Sequence, residues 1–297
     1  MKIKKLIKST FDGDGTDSVT LTITCSKRLH LFKQTISSFV EHCQDKLLIS
    51  KIILFDDSST EDDRFEMERL VEGYFPNRNI DFIYFNDIPT KYRHAYIMQH
   101  WFTTLKTNFV FHLEDDWLFF DGFSLREAID ILKDDWSILS VGFTQSLREF
   151  TEDYLTLYKA ERTRTNKPPG ILYTKHNGYW VWPYLPQYPI AELMFDDAVK
   201  SREGSQDLNT NYWERFLNYP PFGLQPGVMD VVKLQLIGNF NFTFDADTNA
   251  PLNMEGSYGK RVYPQFDVIN TVTRKVKHIG NIYMNEPSAY DLNNSNR

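Results

Sequence analysis

The chain reads as an α/β protein, with a mostly parallel sheet flanked by helices and a less regular C-terminal lobe. Three observations predict this. Apolar runs alternate with amphipathic stretches over residues 18 to 120. The apolar runs are short, nearly continuous, and end in polar or acidic clusters, as buried parallel strands do. Beyond about Gly122 the alternation loses its regularity.

The elements follow in order. Val19 to Cys25 (VTLTITC) is β-branched and apolar and reads as a strand. Leu29 to His42 carries Leu29, Phe32, Ile36, Phe39 and Val40 at helical spacing. Lys51 to Asp57 is a second strand. Asp62 to Phe75 is a helix, with Pro76 as its stop signal. Ile80 to Phe85 is a third strand, Tyr92 to Leu105 a third helix, and Asn108 to Leu113 a fourth strand ending in acids. Ser124 to Leu132 then reads as a helix and Ile138 to Phe143 as a strand. Residues 148 to 178, with Lys167-Pro168-Pro169-Gly170 inside, read as a long excursion. A helix is expected near Leu208 to Leu217, and residues 291–297 read as a flexible tail.

With 297 residues the chain supports one large α/β domain. Its net charge of −7, spread along the chain, lacks the basic stripe of a nucleic-acid binder. Two cysteines, Cys25 and Cys43, make no disulfide framework and are expected as free thiols. The basic N-terminus has no apolar segment behind it and no stretch approaches 18 apolar residues. A cytoplasmic location is therefore the expectation, with peripheral membrane contact through the N-terminal lysines as a weaker alternative.

Ligands of open α/β sheets bind beyond the carboxyl ends of the strands. Cys25-Ser26-Lys27-Arg28, Asp56-Asp57-Ser58-Ser59 and Glu114-Asp115-Asp116 occupy such ends, so the fold predicts that they converge. Two carboxylates about 4 Å apart repel by about 1 kcal/mol in water and about 4 kcal/mol near a protein surface. A hard divalent cation, Mn2+ or Mg2+, removes that cost. Strand alternation predicts Glu114 and Asp116 on one face, with Asp115 on the other. A carboxylate at Asp56 or Asp57 suits a nucleobase imide N–H or a ribose hydroxyl; equally, this cluster suits a cap for the helix that follows. Glycine-rich dinucleotide and P-loop motifs are missing, as is a nucleophile elbow.

Together, VTLTITCSKR, KIILFDDSST and FVFHLEDDW resemble a family-2-type glycosyltransferase of the GT-A fold, in the form whose metal motif is an acid followed by Asp-Asp-Trp. The resemblance covers about residues 18 to 120, and Val276-Lys277-His278-Ile279-Gly280 is similar to a late segment of some relatives. It implies a nucleotide-sugar-binding half over residues 1–122 and an acceptor-binding half of the same domain over 123–290. It also implies roles. Asp57, or Asp56, binds the base; Thr24 and Arg28 flank base and ribose; Glu114 lies near the ribose, with Asp115 beside it; Asp116 binds the metal and His278 is a late metal or diphosphate ligand. Ser58 departs from the family's usual glycine, and Asp115 leaves the metal-binding acid open by one position.

The activity so implied moves a sugar from a nucleoside diphosphate donor, UDP first, to a glycan or other hydroxyl acceptor with inversion. The general base is expected at the helix near 208: Glu214, in an aromatic setting, is preferred to Asp207, whose acidity the helix dipole favours. Trp180 and Trp182, with Tyr184 and Tyr188, suit the apolar face of a sugar. Two other classes compete. A nucleotidylyltransferase would show glycines after the first strand, which residues 25 to 30 lack. A non-catalytic carbohydrate-binding protein would have no need of the acidic run.

Overall fold

The computed structural model describes residues 17–88, 90–144, 175–176, 179–181, 222–240, 254–262, 265–271 and 275–280. The strands are β1 (Val19–Cys25), β2 (Ile49–Asp56), β3 (Asn79–Tyr84), β4 (Phe109–Glu114), β5 (Trp117–Phe119), β6 (Ile138–Gly142), β7 (Lys175–His176), β8 (Tyr179–Val181), β9 (Gly227–Asp230), β10 (Asp267–Asn270) and β11 (Val276–His278). The helices are α1 (Leu29–His42), α2 (Glu61–Tyr74), α3 (Thr90–Thr104), α4 (Leu125–Asp134), α5 (Val231–Ile237) and α6 (Met254–Val262). The predicted α/β class holds, and the alternation over residues 18 to 120 appears with boundaries shifted by a residue or two.

The main sheet has nine strands in the order β3-β2-β1-β4-β9-β6-β10-β8-β7. Neighbouring pairs among β3, β2, β1 and β4 are parallel, as are β6 and β10; β9 runs against both β4 and β6. Strands from both halves of the chain therefore share one sheet. β5 and β11 form a separate antiparallel ribbon.

Both faces of the sheet are covered, and β2 shows why its run is apolar throughout. Ile52 and Leu54 face one core layer with Phe32, Ile36 and Phe39 of α1, Met67 and Val71 of α2, and Leu125, Ile129 and Leu132 of α4. Ile53 and Phe55 face the other, with Ile97, Met98 and Trp101 of α3, Leu234 of α5 and Tyr258 of α6. Each such side chain contributes about 1.5–3 kcal/mol by leaving water. Trp101 donates to the Thr22 hydroxyl at 3.0 Å, which lies 2.9 Å from His112 Nδ1, so the indole N–H and the Thr22 hydroxyl are both paired within this layer.

The helix starts are specific. Thr60 caps α2 by accepting from the Asp63 N–H at 3.2 Å. The capping alternative for Asp56 to Ser59 is thereby corrected: the cap is one residue further on. Ser124 caps α4, accepting from the Glu127 N–H at 3.0 Å. At the other end of α4, Lys233 is fully buried, with its Nζ 3.1 Å from the Leu132 carbonyl, 2.6 Å from that of Ile138 and 3.2 Å from the Asp230 carboxylate. A cation there satisfies carbonyls left open by the helix end and opposes its negative pole. Cys25 and Cys43 are buried free thiols.

Candidate active site

Parallel pairing brings the three sequence clusters together. Cys25 lies opposite Asp56, and Thr24 lies between Phe55 and Glu114. The convergence follows from hydrogen-bond register, since β1 is the central strand of the three.

The acidic run does not keep strand alternation. β4 ends at Glu114, and Asp115 and Asp116 form a turn before β5. That corrects the expectation that Asp115 faces away from its neighbours, because a turn breaks the pleat that separates adjacent side chains. Arg28 bridges both aspartates, bonding Asp115 through Nη2 and Asp116 through Nη1 at 2.7 Å. Asp115 also accepts from the Ser26 N–H at 3.0 Å and is 1% exposed, so it serves as an internal brace. Its carbonyl accepts from the Thr35 hydroxyl at 2.8 Å, which itself accepts from the Trp117 N–H at 3.1 Å; α1 thus pins the turn. Arg28, implied to flank base and ribose, is occupied as the other half of this brace. Two charge-assisted bonds in a buried setting hold it there.

Asp116 is the corner of the site. His278 Nε2 stands 3.2 Å from its Oδ2, and its carbonyl accepts from the Ile279 N–H at 2.8 Å. The β5–β11 ribbon produces this meeting by setting His278 opposite Trp117, whose ring lies 4.9 Å from the imidazole. The other carboxylate oxygen, Oδ1, is buried without a hydrogen-bond partner. Burial opposes ionisation of Asp116, but the His278 hydrogen bond and the Arg28 charge outweigh it and hold the carboxyl below its ordinary range. Glu114 is pushed up to about 8, first by burial and then by the charges of Asp116 and Glu255, against a 3.2 Å hydrogen bond from the Trp117 indole. Its side chain keeps some surface at the mouth of the crevice while protein surrounds its carboxyl.

Gly280 completes the corner. A Cβ there would collide with Asp116 Oδ2 and stand 3.0 Å from His278 Cε1 and 3.1 Å from Arg28 Nη1. Gly280→Ala is expected to cost about 1–3 kcal/mol through overpacking and to displace Asp116 from His278. Urea unfolding checks the first effect and manganese titration the second; wild-type behaviour in both would show that the backbone yields without consequence.

At the end of β2, the adjacent acids divide. Asp56 is fully buried and committed: Ser59 N–H donates to it at 3.2 Å and Arg64 Nε at 2.7 Å. Arg64 also bonds Asn86 at 2.7 Å and lies 4.6 Å from the Tyr84 ring, so Asp56 fixes the loop rather than meeting a ligand. Arg93 of α3 holds the next two residues, donating to the Asp57 carbonyl at 3.0 Å and to the Ser58 hydroxyl. Asp57 is pushed up to about 7, chiefly by burial, with Arg93 and Ser58 opposing.

That shift has a consequence for stability. Below about pH 4 both folded and unfolded chains hold the proton. As pH rises from about 4 to about 7 the unfolded carboxyl ionises first, so folding loses stability, and the loss is complete above about 7. Asp57→Asn is expected to be stabilised relative to wild type by a margin that grows from pH 5 to pH 8, up to a few kcal/mol. Denaturant titrations at the two pH values test it; a constant margin would exclude a raised Asp57.

Thr24 lies at the crevice with its hydroxyl buried and without a partner. Trp180 belongs to β8, opposite Asn270 of β10. Trp182, Asp207 and Glu214 lie outside the described residues, as do Tyr184 and Tyr188. Arg64, Arg93 and Glu255 were not legible as site residues, because single charges within helices give no local signal.

Among the described residues no group of three or more His, Cys, Asp and Glu side chains could hold a metal ion. Nor is any helix among them long and apolar enough to cross a membrane. No protein-family model matches the chain, and no curated protein matches its sequence. Among solved structures it is similar to the mannosyltransferase PcManGT from Pyrobaculum calidifontis, in complex with GDP-Man and Mn2+, with 13% identity, a TM-score of 0.46, and coverage of 92% of this chain and 61% of that one. It is similar to the 1–349 segment of S. aureus TarS, with 11% identity, a TM-score of 0.44, and coverage of 86% and 60%. A further S. aureus TarS structure gives 8% identity, a TM-score of 0.46, and coverage of 86% and 37%. The chain thus covers less than two thirds of the length of each of these structures.

Proposed function

We propose that the chain is a metal-dependent glycosyltransferase of the GT-A type, which moves a sugar from a nucleoside diphosphate donor, UDP first, to a hydroxyl acceptor with inversion. The observation that carries this reading is the meeting of Asp116 and His278 at the carboxyl ends of β1, β2 and β4, with Asp116 Oδ1 buried and unpartnered. An orphaned buried carboxylate oxygen beside an imidazole fits Mn2+ or Mg2+. Asp116 and His278 are the residues that would hold the ion. When bound there, such an ion would supply Lewis-acid stabilisation of a leaving diphosphate.

The chain's own groups do the rest. Asp57 accepts from the nucleobase, held in place by Arg93, and Thr24 offers its unpartnered hydroxyl to base or ribose. Glu114 meets the ribose or the sugar. Arg28 keeps Asp115 and Asp116 from repelling one another. Residues 1–122 form the nucleotide-binding half and 123–290 the acceptor half; Trp180 and Trp182 stack on the acceptor, and Glu214 or Asp207 takes its proton.

The test is thermal stabilisation by a panel of nucleotide sugars with and without Mn2+, together with donor hydrolysis in the absence of acceptor. Metal-dependent stabilisation and slow hydrolysis are expected. Pyrophosphate release from a nucleoside triphosphate would instead favour a nucleotidylyltransferase, and sugar binding without hydrolysis a non-catalytic protein.

A further inference from the structure

We propose that the donor's glycosyl group is read by a polar ledge formed by Thr144, Gln225 and Glu255 around the bare backbone of Gly223, beside Glu114. This rests on the glycosyltransferase reading and names the part of that site which takes the sugar ring.

Sheet topology places the ledge. Because β9 runs against β4, its first residue Gly227 lies opposite His112, close to Glu114. The segment that enters β9 therefore crosses the carboxyl end of the sheet. It is tied to the end of β6 there: the Phe143 N–H donates to the Pro226 carbonyl at 3.1 Å, and Thr144 Oγ1 lies 2.5 Å from Gln225 Oε1. Glu255 comes from the first turn of α6. That helix is anchored by Tyr258, whose ring lies 4.7 Å from Phe222 and 4.3 Å from Phe240, and whose hydroxyl donates to the Leu234 carbonyl at 3.0 Å.

Gly223 separates the two polar side chains. A Cβ at this position would lie 3.6 Å from Gln225 Cγ and 3.8 Å from Glu255 Oε2, both ordinary contacts, so glycine leaves a notch with an amide on one side and a carboxylate on the other. A hydroxyl, an amide and the Glu255 carboxylate around half-buried backbone suit a ring that carries hydroxyl groups. Carboxylates accept from hydroxyls in charge-assisted bonds, and a site built that way discriminates strongly between sugars that differ in one hydroxyl.

Calorimetry on the full chain with Mn2+ tests this, comparing UDP with UDP-glucose and UDP-N-acetylglucosamine, and GDP with GDP-mannose. For Gly223→Val and for Glu255→Gln, affinity for the bare nucleotide is expected to stay within about twofold of wild type, while the extra affinity contributed by the sugar falls about tenfold or more, and donor hydrolysis falls with it. Retained nucleotide binding shows that each variant is folded. A sugar contribution unchanged in both variants, or an equal loss for nucleotide and nucleotide sugar, overturns the ledge. So does a wild-type chain that binds nucleotide but gains nothing from any sugar. A wild-type chain that binds no nucleotide of the panel overturns the glycosyltransferase reading itself, and the ledge with it.

Discussion

Asp116→Ala is expected to abolish manganese-dependent UDP binding and to lower transfer on the order of a thousandfold or more. The size follows from the role: a metal that neutralises a leaving diphosphate is worth several kcal/mol, and each 1.36 kcal/mol is tenfold in rate. The substitution removes the buried Oδ1 and also one of Arg28's two partners. Loss of fold must therefore be separated from loss of metal. Asp116→Asn does this, because the amide oxygen still accepts from Arg28 but carries no charge for a cation. Its melting temperature is expected to stay near wild type while metal-dependent binding disappears. Unchanged UDP calorimetry with Mn2+ in the asparagine variant would sink the metal assignment to Asp116.

Lys233→Met is expected to be the most destabilising substitution away from the site, at about 3–5 kcal/mol. Methionine fills a similar volume, so the loss is electrostatic. It leaves the carbonyls of Leu132 and Ile138 and the carboxylate of Asp230 without their buried partner. Such groups retain their full desolvation cost. The ammonium also lies 5.1 Å from the Trp136 ring, a contact that is lost too. For a chain of this size the change corresponds to a fall of about 10 °C in Tm. A shift of a degree or two, measured calorimetrically, would mean that the carbonyls find other partners.

The half of the sheet that was legible in the sequence is the half made by local pattern. VTLTITC, KIILFDD and NFVFHL announce themselves because a strand covered on both faces must be apolar throughout. The acids that follow them announce the crevice. Other features depend on partners distant in sequence. β9 is only Gly227-Val228-Met229-Asp230, and nothing in it says that it runs against β4 and β6. Val276-Lys277-His278 has no periodicity; only a family resemblance marked it, and only its pairing with Trp117–Phe119 explains why His278 reaches Asp116. Asp56 and Asp57 were indistinguishable as neighbours in sequence. Arg64 and Arg93, which arrive from two helices, separate them by claiming Asp56 and bracing Asp57. The alternation assigned to Glu114 and Asp116 failed for a local reason, since a strand's pleat ends where its ladder ends.

The β5–β11 ribbon has a temporal consequence. Lys275, at its edge, bonds Asp121 across a sequence separation of 154 residues. During synthesis the parallel strands β1 to β4 emerge long before residues 275–280. Closing so long a loop is among the slower events in folding. A nascent chain is therefore expected to pair β1, β2 and β4 before it brings His278 to Asp116, so that the Asp116–His278 corner is completed only near the end of folding.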